Sequence, residues 1–157
     1  RHTRDQAIGF CAELRARLPN VTFGADLIAG FPTETEDQFE NTLALVDDCG
    51  LTFLHVFPYS VRRDTPAGRM PQVPDPVKKD RVARLRAKGD KALAAHLMAR
   101  AGSNDRVLVE RATPNGATGH GEDFCGVILG GDVAVGDIVP ATVTGFENGR
   151  LLAQPSH

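Results

Sequence analysis

The sequence predicts an α/β segment built around a parallel β-α-β unit, followed by a small β-barrel. Two short apolar runs flank an amphipathic segment within residues 1–74. A basic segment follows at 75–102, and in 103–157 the apolar residues recur with the period of strands between glycine turns. A chain of 157 residues with 41% apolar side chains can bury a core in both parts. We therefore expect three regions with these boundaries.

The first predicted helix has a clear beginning and end. Thr3 and Gln6 match a capping box, in which two side chains bind free backbone N–H groups at a helix start. Pro19 ends the helix. The run VTFGADLIAG comes next, and its composition predicts a strand that is buried on both faces.

A second helix and a second strand complete the β-α-β unit. Thr33 and Glu36 have the spacing of another capping box, and Gly50 stops the helix that would follow. The run LTFLHVF predicts the second strand. A parallel pair of strands joined through a helix should have a right-handed crossover. From Pro58 to Pro76 five prolines and several charged residues replace the apolar pattern, so we expect an ordered but irregular connection there.

Residues 75–102 predict a long basic helix. Asp75 and Pro76 suit a helix start, and Gly102 suits its end. The segment carries eight basic and three acidic residues, whereas the regions on either side are net acidic. If the protein binds a polyanion, this helix is its predicted electrostatic contact. The inward-facing residues should be Val82, Leu85, Leu93 and Leu97.

The last region predicts five short strands, namely RVLVER, FCGVIL, DVAV, DIVPATVTGF and RLLAQ. Asn115-Gly116 and Asn148-Gly149 are strong hairpin signals. Five short strands in so few residues favour a small, closed or nearly closed antiparallel barrel of the OB type, because closure removes exposed sheet edges.

Two segments fall at the carboxyl ends of the predicted parallel strands, where ligands of α/β folds bind. The first is Gly30-Phe31-Pro32-Thr33-Glu34-Thr35, in which Gly30 would let backbone approach a ligand and Glu34 would bring a carboxylate to the rim. The second is Pro58-Tyr59-Ser60 on the neighbouring strand. Each segment alone also fits a simple turn, but their coincidence on adjacent strand ends favours a binding site.

These residues carry a resemblance to a known family. The run GADLIAGFPTETEDQF, followed after one helix by HVFPYSVRRDTPAGRMPQV, resembles the last part of the radical-SAM barrel of methylthiotransferases. The segment LHVFPYS resembles the corresponding segment of those members that act on threonylcarbamoyl-adenosine beside the tRNA anticodon. The region 103–157 resembles a TRAM domain, an RNA-binding β-barrel. Asp64 departs from the family pattern, which has glycine before Thr-Pro-Ala.

The resemblance implies a site for S-adenosylmethionine along the strand ends. Residues that match the family's positions would form one edge of that site, with Tyr59 and Ser60 bordering the adenine. The expected cofactor-binding residues are Ile28, Gly30, Phe31, Pro32, Glu34, Tyr59 and Ser60. The full-length enzyme would also carry two [4Fe–4S] clusters. Their CxxxCxxC ligand run is absent from this chain, whose cysteines are Cys11, Cys49 and Cys125.

We therefore expect no metal site and no catalytic residue in this chain, which should be inactive without the missing N-terminal part of the same enzyme. The three cysteines are far apart in sequence and predict buried, inert thiols. The five histidines lack metal-ligand spacing. With no run of 18 apolar residues and no signal peptide, the sequence predicts a cytoplasmic protein without membrane contact.

The implied partner is the tRNA anticodon stem-loop, not DNA. We expect phosphate contacts from the basic helix together with the barrel, at Lys78, Lys79, Arg81, Arg106, Arg111 and Arg150. The barrel is net acidic, and for its two aromatic residues, Phe124 and Phe146, a core role and a base-stacking role both stay open. Two alternatives also remain: a sibling enzyme acting on isopentenyladenosine tRNA or on a ribosomal protein, and a non-catalytic RNA-binding module.

Overall fold

The computed structural model describes residues 3–156. It contains two compact units, one ending at Ala92 and one beginning at Leu93, and the boundary lies inside the long third helix. The elements of the first unit are α1 (Arg4–Arg17), β1 (Phe23–Ala29), α2 (Glu36–Asp48), β2 (Leu51–Pro58), a 3-10 turn (Ala67–Arg69) and α3 (Asp75–Ala99), whose last residues belong to the second unit. In the described part of the chain no helix is both long and apolar enough to cross a bilayer.

The predicted β-α-β unit is confirmed. Strands β1 and β2 pair in parallel, with Ala25 opposite Leu54 and Ile28 opposite Phe57. One face of this two-stranded sheet packs against α2 and α3, and side chains from all four elements form the core. The fully or nearly buried members are Ala29, Phe39, Val46, Val56, Val82 and Leu85.

The expectation that β1 is buried on both faces is wrong. Its side chains alternate, so that Gly24, Asp26 and Ile28 are exposed while the residues between them face the core. Two strands with helices on one face leave the opposite face open. The apolar run predicted two buried faces because it shows only which residues avoid water, not how many layers this chain supplies to cover them.

One of the two predicted capping boxes is confirmed and the other is displaced. At the start of α1, Gln6 N donates to Thr3 Oγ1 at 3.3 Å, and Thr3 N donates to Gln6 Oε1 at 2.9 Å. Helix α2 is capped instead by Thr35 and Gln38, through the same reciprocal pair of bonds. The predicted cap, Thr33, has a φ of +67° and lies in the turn before the helix, so Thr35 takes the N-cap position instead.

Acidic residues of α2 and the turn before it pair with basic residues of α3. The Arg81 guanidinium donates to Glu34 Oε2 at 2.8 Å, to the Glu34 carbonyl at 3.0 Å and to Glu36 Oε2 at 3.0 Å. Arg84 bonds Glu36 at 2.6 Å and also pairs with Glu40. The hydrogen bonds from Arg84 and Arg81 lower the pKa of Glu36. The positive charge predicted for the helix is thus largely compensated within the fold.

The second unit is a closed barrel of five strands, β3 (Asn104–Thr113), β4 (Gly116–His120), β5 (Gly126–Leu129), β6 (Ile138–Glu147) and β7 (Arg150–Pro155). Their order around the barrel is β3-β4-β5-β7-β6, with β6 pairing back onto β3. All pairings are antiparallel except β5 with β7. This confirms the predicted small OB-like barrel.

Two details of the predicted barrel are corrected. The segment DVAV is an irregular loop rather than a strand, and Val135 within it is 60% exposed. The missing fifth strand is β4, GATGH, which has too few apolar side chains to show the strand period. Its glycines suit close packing, since a Cβ on Gly119 would collide with the Leu108 carbonyl of β3. Both hairpin signals are confirmed, at β3-β4 and β6-β7.

A buried polar cluster joins the end of α3 to the turn between β4 and β5. Asp123, which is 8% exposed, bonds His96 Nε2 at 2.7 Å and pairs with Arg100. It also accepts a bond from the Cys125 backbone N–H at 3.0 Å. Arg100 reaches Asp105 at 2.8 Å. Burial acts to raise the pKa of Asp123, but the bonds from His96, Cys125 and Arg100 outweigh it and lower that pKa.

We expect Arg81→Met to destabilise the first unit by about 3–5 kcal/mol, because it leaves the shielded Glu34 carboxylate without its cation. Urea denaturation followed by the fluorescence of Tyr59, the single tyrosine, measures this loss. Lys79→Met on the same helix is the matched control, because Lys79 is exposed and makes no ion pair within residues 3–156. Equal midpoints for the two variants would contradict the structural role of Arg81.

We expect the barrel to lose stability in acid through Asp123. A carboxyl with a lowered folded pKa stabilises the fold fully above its unfolded pKa, near 3.8, and loses that contribution as the pH falls through the folded value. Urea titrations read from barrel amide NMR signals should show a falling midpoint from about pH 5 to about pH 3. Asp123→Asn should be less stable at neutral pH and respond less to acid. Asp132→Asn, at an exposed loop residue, should behave as wild type.

Candidate functional site

The carboxyl ends of β1 and β2 present an exposed apolar surface. Ile28 and Phe57 are opposite each other in the parallel register and are 56% and 51% exposed. Phe31, in the turn after β1, meets the ring of Tyr59 edge to face with 5.3 Å between centroids. The Tyr59 N–H donates to the Ala29 carbonyl at 2.9 Å, which fixes the two strand ends side by side. Sequence reasoning missed Phe57, although its place one residue before Pro58 was a usable signal.

The turn Gly30–Glu34 is rigid for reasons that differ from the sequence prediction. The Glu34 carboxylate accepts the Gly30 N–H at 2.8 Å and binds Arg81, so it is turned into the protein and not toward a rim. Gly30 has a φ of +75°, and a Cβ there would collide with the side chain of Lys78 rather than with a ligand. Pro32 is fully buried. These three residues therefore shape the turn that holds Phe31.

The remaining predicted residues, Tyr59 and Ser60, differ in their surroundings. Ser60 is exposed. The Tyr59 hydroxyl is buried, and it has no hydrogen-bond partner among the described residues. A buried donor without a partner costs free energy unless something else binds it. Side chains of the protein cover this hydroxyl, so a molecule at the strand ends could reach it only if they moved.

The cysteines do not fit an iron–sulfur cluster. All three are buried, and Cys125 lies in the other unit from Cys11 and Cys49. Cys49 and Cys11 are nevertheless neighbours in the fold, contrary to the isolation that their sequence separation predicts. Burial raises the pKa of the Cys49 thiol and its bond with Cys11 raises it further. Two buried thiols supply fewer ligands than the three that the chemistry requires.

His96, Asp123 and Cys125 bring three ligand atoms within 4.8 Å of one another, which is close enough to consider a metal ion. A cation there would have to displace the guanidinium of Arg100 from Asp123. Burial and the neighbouring Asp123 also raise the pKa of the Cys125 thiol to about 12, which opposes the thiolate that a metal needs. The group is better described as a structural cluster. Of the other histidines, His2 and His157 lie outside the described residues.

The predicted RNA-binding residues of α3 differ in their exposure and in their ion pairs. Arg81 is 4% exposed and its guanidinium binds Glu34 and Glu36, so it is poorly placed to contact a phosphate. Lys78 pairs with Asp75 at 2.7 Å, and its side chain is 14% exposed. Lys79 is exposed. The basic helix is therefore a weaker candidate for phosphate contact than its charge predicts.

The barrel offers a different basic surface. Arg111 is next to Thr118 of β4, and Arg150 is next to Gly126 of β5, with both side chains exposed. Neither arginine forms an ion pair with any residue from 3 to 156, whereas Arg106 pairs with Glu122 at 3.5 Å. The strands between them carry the exposed Ile128. In OB barrels this sheet face binds oligonucleotides.

No family model matches the chain, but individual proteins do. It is 46% identical over 151 residues to the threonylcarbamoyladenosine tRNA methylthiotransferase MtaB of Rickettsia prowazekii, covering 96% of this chain and 35% of that protein. It is 35% identical over 156 residues to the tRNA-2-methylthio-N(6)-dimethylallyladenosine synthase of Protochlamydia amoebophila, again covering 96% and 35%. The protein of the same name from Oceanobacillus iheyensis is 41% identical over 111 residues, 70% of this chain and 21% of that protein.

The chain thus spans about a third of the length of the relatives that it matches along nearly its whole extent. We conclude that the chain belongs to the radical-SAM methylthiotransferase family.

Proposed function

We propose that the whole protein containing this chain adds a methylthio group to C2 of threonylcarbamoyl-adenosine beside the anticodon of tRNA. The observation that carries the choice of substrate is a difference in similarity over equal coverage. The chain is 46% identical to a relative named for threonylcarbamoyladenosine, against 35% for one named for dimethylallyladenosine, each over 96% of its length. The segment LHVFPYS, at the end of β2, supports the same substrate.

Deleting the gene and analysing tRNA nucleosides by mass spectrometry tests this proposal. We expect the methylthio group to disappear from threonylcarbamoyl-adenosine alone, while the unmodified threonylcarbamoyl-adenosine accumulates. Reintroducing the full-length gene should restore it. Loss of the methylthio group from dimethylallyladenosine would assign the sibling activity instead, and an unchanged nucleoside profile would reject tRNA methylthiolation.

We infer further that the ends of β1 and β2 form one edge of an S-adenosylmethionine site, completed by the missing N-terminal part of the enzyme. S-adenosylmethionine supplies the radical and the methyl group in this chemistry. In this chain Ile28, Phe31 and Phe57 would pack against the adenosyl group. The Tyr59 hydroxyl, which is buried and has no partner among residues 3–156, would donate to it after a shift of the side chains that cover it. Gly30, Pro32 and Glu34 would act indirectly, by holding the turn.

The open face of the sheet supports the same inference. Asp26 and His55 are opposite each other on the exposed side, next to Ile28 and Phe57. An exposed sheet face rich in apolar residues is costly in water, and a closed barrel would cover it with further strands. We propose that these strands come from the missing N-terminal part, which also holds the cluster ligands that this chain lacks.

In the full-length, cluster-reconstituted enzyme, Tyr59→Phe should raise the Kd for S-adenosylmethionine by up to about tenfold, or roughly 1.4 kcal/mol. The same change should not lower thermal stability, because the lost hydroxyl has no hydrogen-bond partner among residues 3–156. Isothermal titration calorimetry measures the affinity, and Leu18→Ala, at an exposed residue of the first unit, is the control. An unchanged Kd for Tyr59→Phe would remove this hydroxyl from the site.

We propose that the barrel contacts tRNA through Arg111 of β3 and Arg150 of β7, on the two strands that flank β4 and β5. Two guanidinium groups without ion pairs among residues 3–156, on either side of the exposed Ile128, can hold phosphates while leaving Ile128 free for a base. Arg106 and the helix lysines Lys78 and Lys79 would contribute less, because Arg106 and Lys78 already have acidic partners. Arg81 is excluded by its burial.

Measuring tRNA affinity against salt concentration distinguishes the two surfaces. Replacing Arg111 and Arg150 with Gln should flatten the log–log salt dependence by about 0.7–0.9 for each lost phosphate contact. Lys78→Gln with Lys79→Gln should flatten it less. Affinity should fall similarly for all tRNAs, because phosphate contacts position the protein without reading sequence. A larger effect of the lysine pair would return the main contact to the helix.

A further inference from the structure

Phe124 has an unusual combination of backbone conformation and exposure. It lies in the turn between β4 and β5, with a φ of +62° and a side chain that is 81% exposed. Its N–H donates to the Gly121 carbonyl at 3.1 Å, and Gly121 N–H donates to the Cys125 carbonyl at 3.0 Å. The residues on either side, Asp123 and Cys125, are buried. The backbone is therefore anchored on both sides while the ring points into water.

This conformation is unfavourable for a bulky side chain. In the left-handed region Cβ crowds the backbone, so glycine and asparagine are the usual occupants. The other positive-φ residues of this unit, within the described chain, are Asn148 and the glycines Gly102, Gly116, Gly131, Gly136 and Gly149. Phe124 is the exception, and its exposed ring gains no burial in return. Strain of this kind, held in place by its surroundings, is found at binding sites.

The neighbourhood of the ring is suited to a nucleotide. Gly126, two residues further on, pairs with β4 at His120, and the stem of Arg150 passes over it, since a Cβ at Gly126 would lie 3.4 Å from Arg150 Cγ. Because Gly126 has no side chain, nothing projects from the barrel surface at that position. The guanidinium of Arg150 makes no ion pair in the described structure. Phe124 comes two residues before Gly126, and Arg150 of β7 lies beside Gly126, so both residues are placed next to the start of β5.

We propose that Phe124 is a stacking platform for an unpaired RNA base, with Arg150 contacting a phosphate beside it. Base stacking on an aromatic ring is sequence-tolerant and needs an exposed, rigidly held ring, which the anchored turn supplies. This inference rests on the proposed RNA-binding function and adds the base contact to the phosphate contacts inferred above.

Phe124→Gly separates stacking from folding. Glycine relieves the backbone strain, so the thermal midpoint of the chain should be unchanged or higher, as measured by circular dichroism. Affinity for a synthetic RNA hairpin with a single-stranded loop should fall about tenfold or more, the expected loss for one stacked base. Affinity for a fully paired RNA of the same length should change little, because it offers no unpaired base. Phe124→Trp should retain hairpin affinity.

The controls distinguish this inference from the function on which it rests. Phe10→Ala removes another exposed aromatic ring, from α1, and should leave RNA affinity unchanged. If the wild-type chain binds neither RNA, the RNA-binding function and the stacking role are both overturned. If it binds the hairpin and Phe124→Gly binds equally well, only the stacking role is overturned. A lower thermal midpoint for Phe124→Gly would show that the ring supports the fold, which also overturns it.

Discussion

The first unit depends on one ion pair, between Arg81 of α3 and Glu34 of the turn after β1. The carboxylate of Glu34 is shared between the guanidinium and the Gly30 N–H, so one group fixes both the turn and the docking of the helix. Buried pairs of this kind add little net stability, but the loss of one partner is costly. The pair therefore acts mainly to specify one geometry. That geometry sets where Phe31 and Tyr59 meet.

The same pairing explains why charge along the sequence was a poor guide to the RNA-binding surface. The α3 segment has a large excess of basic residues, and α2 carries the acidic residues that neutralise it. The two residues of each pair are more than 40 positions apart in the sequence, so no local pattern reveals that their charges compensate each other. In the net acidic barrel, Arg111 and Arg150 make no ion pair among residues 3–156, and on the helix the same holds for Lys79. What a polyanion encounters is the uncompensated charge, not the total.

Local signals predicted the elements well and the packing less well. The capping box at Thr3 and the Asn148-Gly149 hairpin depend on neighbouring residues, so the sequence was sufficient for them. Strand β4 was missed because its glycines serve close packing against β3 and not an apolar period. The strand-end position of Phe31 and Tyr59 followed from the β-α-β pattern. The inward turn of Glu34 could not be foreseen, since it depends on Arg81 in a distant helix.

The strand order of the barrel has a consequence for the timing of folding. Strand β7, residues 150–155, is the last strand in sequence, and it lies between β5 and β6 rather than at an edge. Until it is in place, β5 and β6 each have an open edge, and the interior residues Val127 and Val143 lack the inner side chains of β7, Leu151 and Ala153. Ribosomal synthesis must therefore proceed past residue 155 before the barrel can close. A nascent chain stalled earlier would expose sheet edges that favour association with other chains.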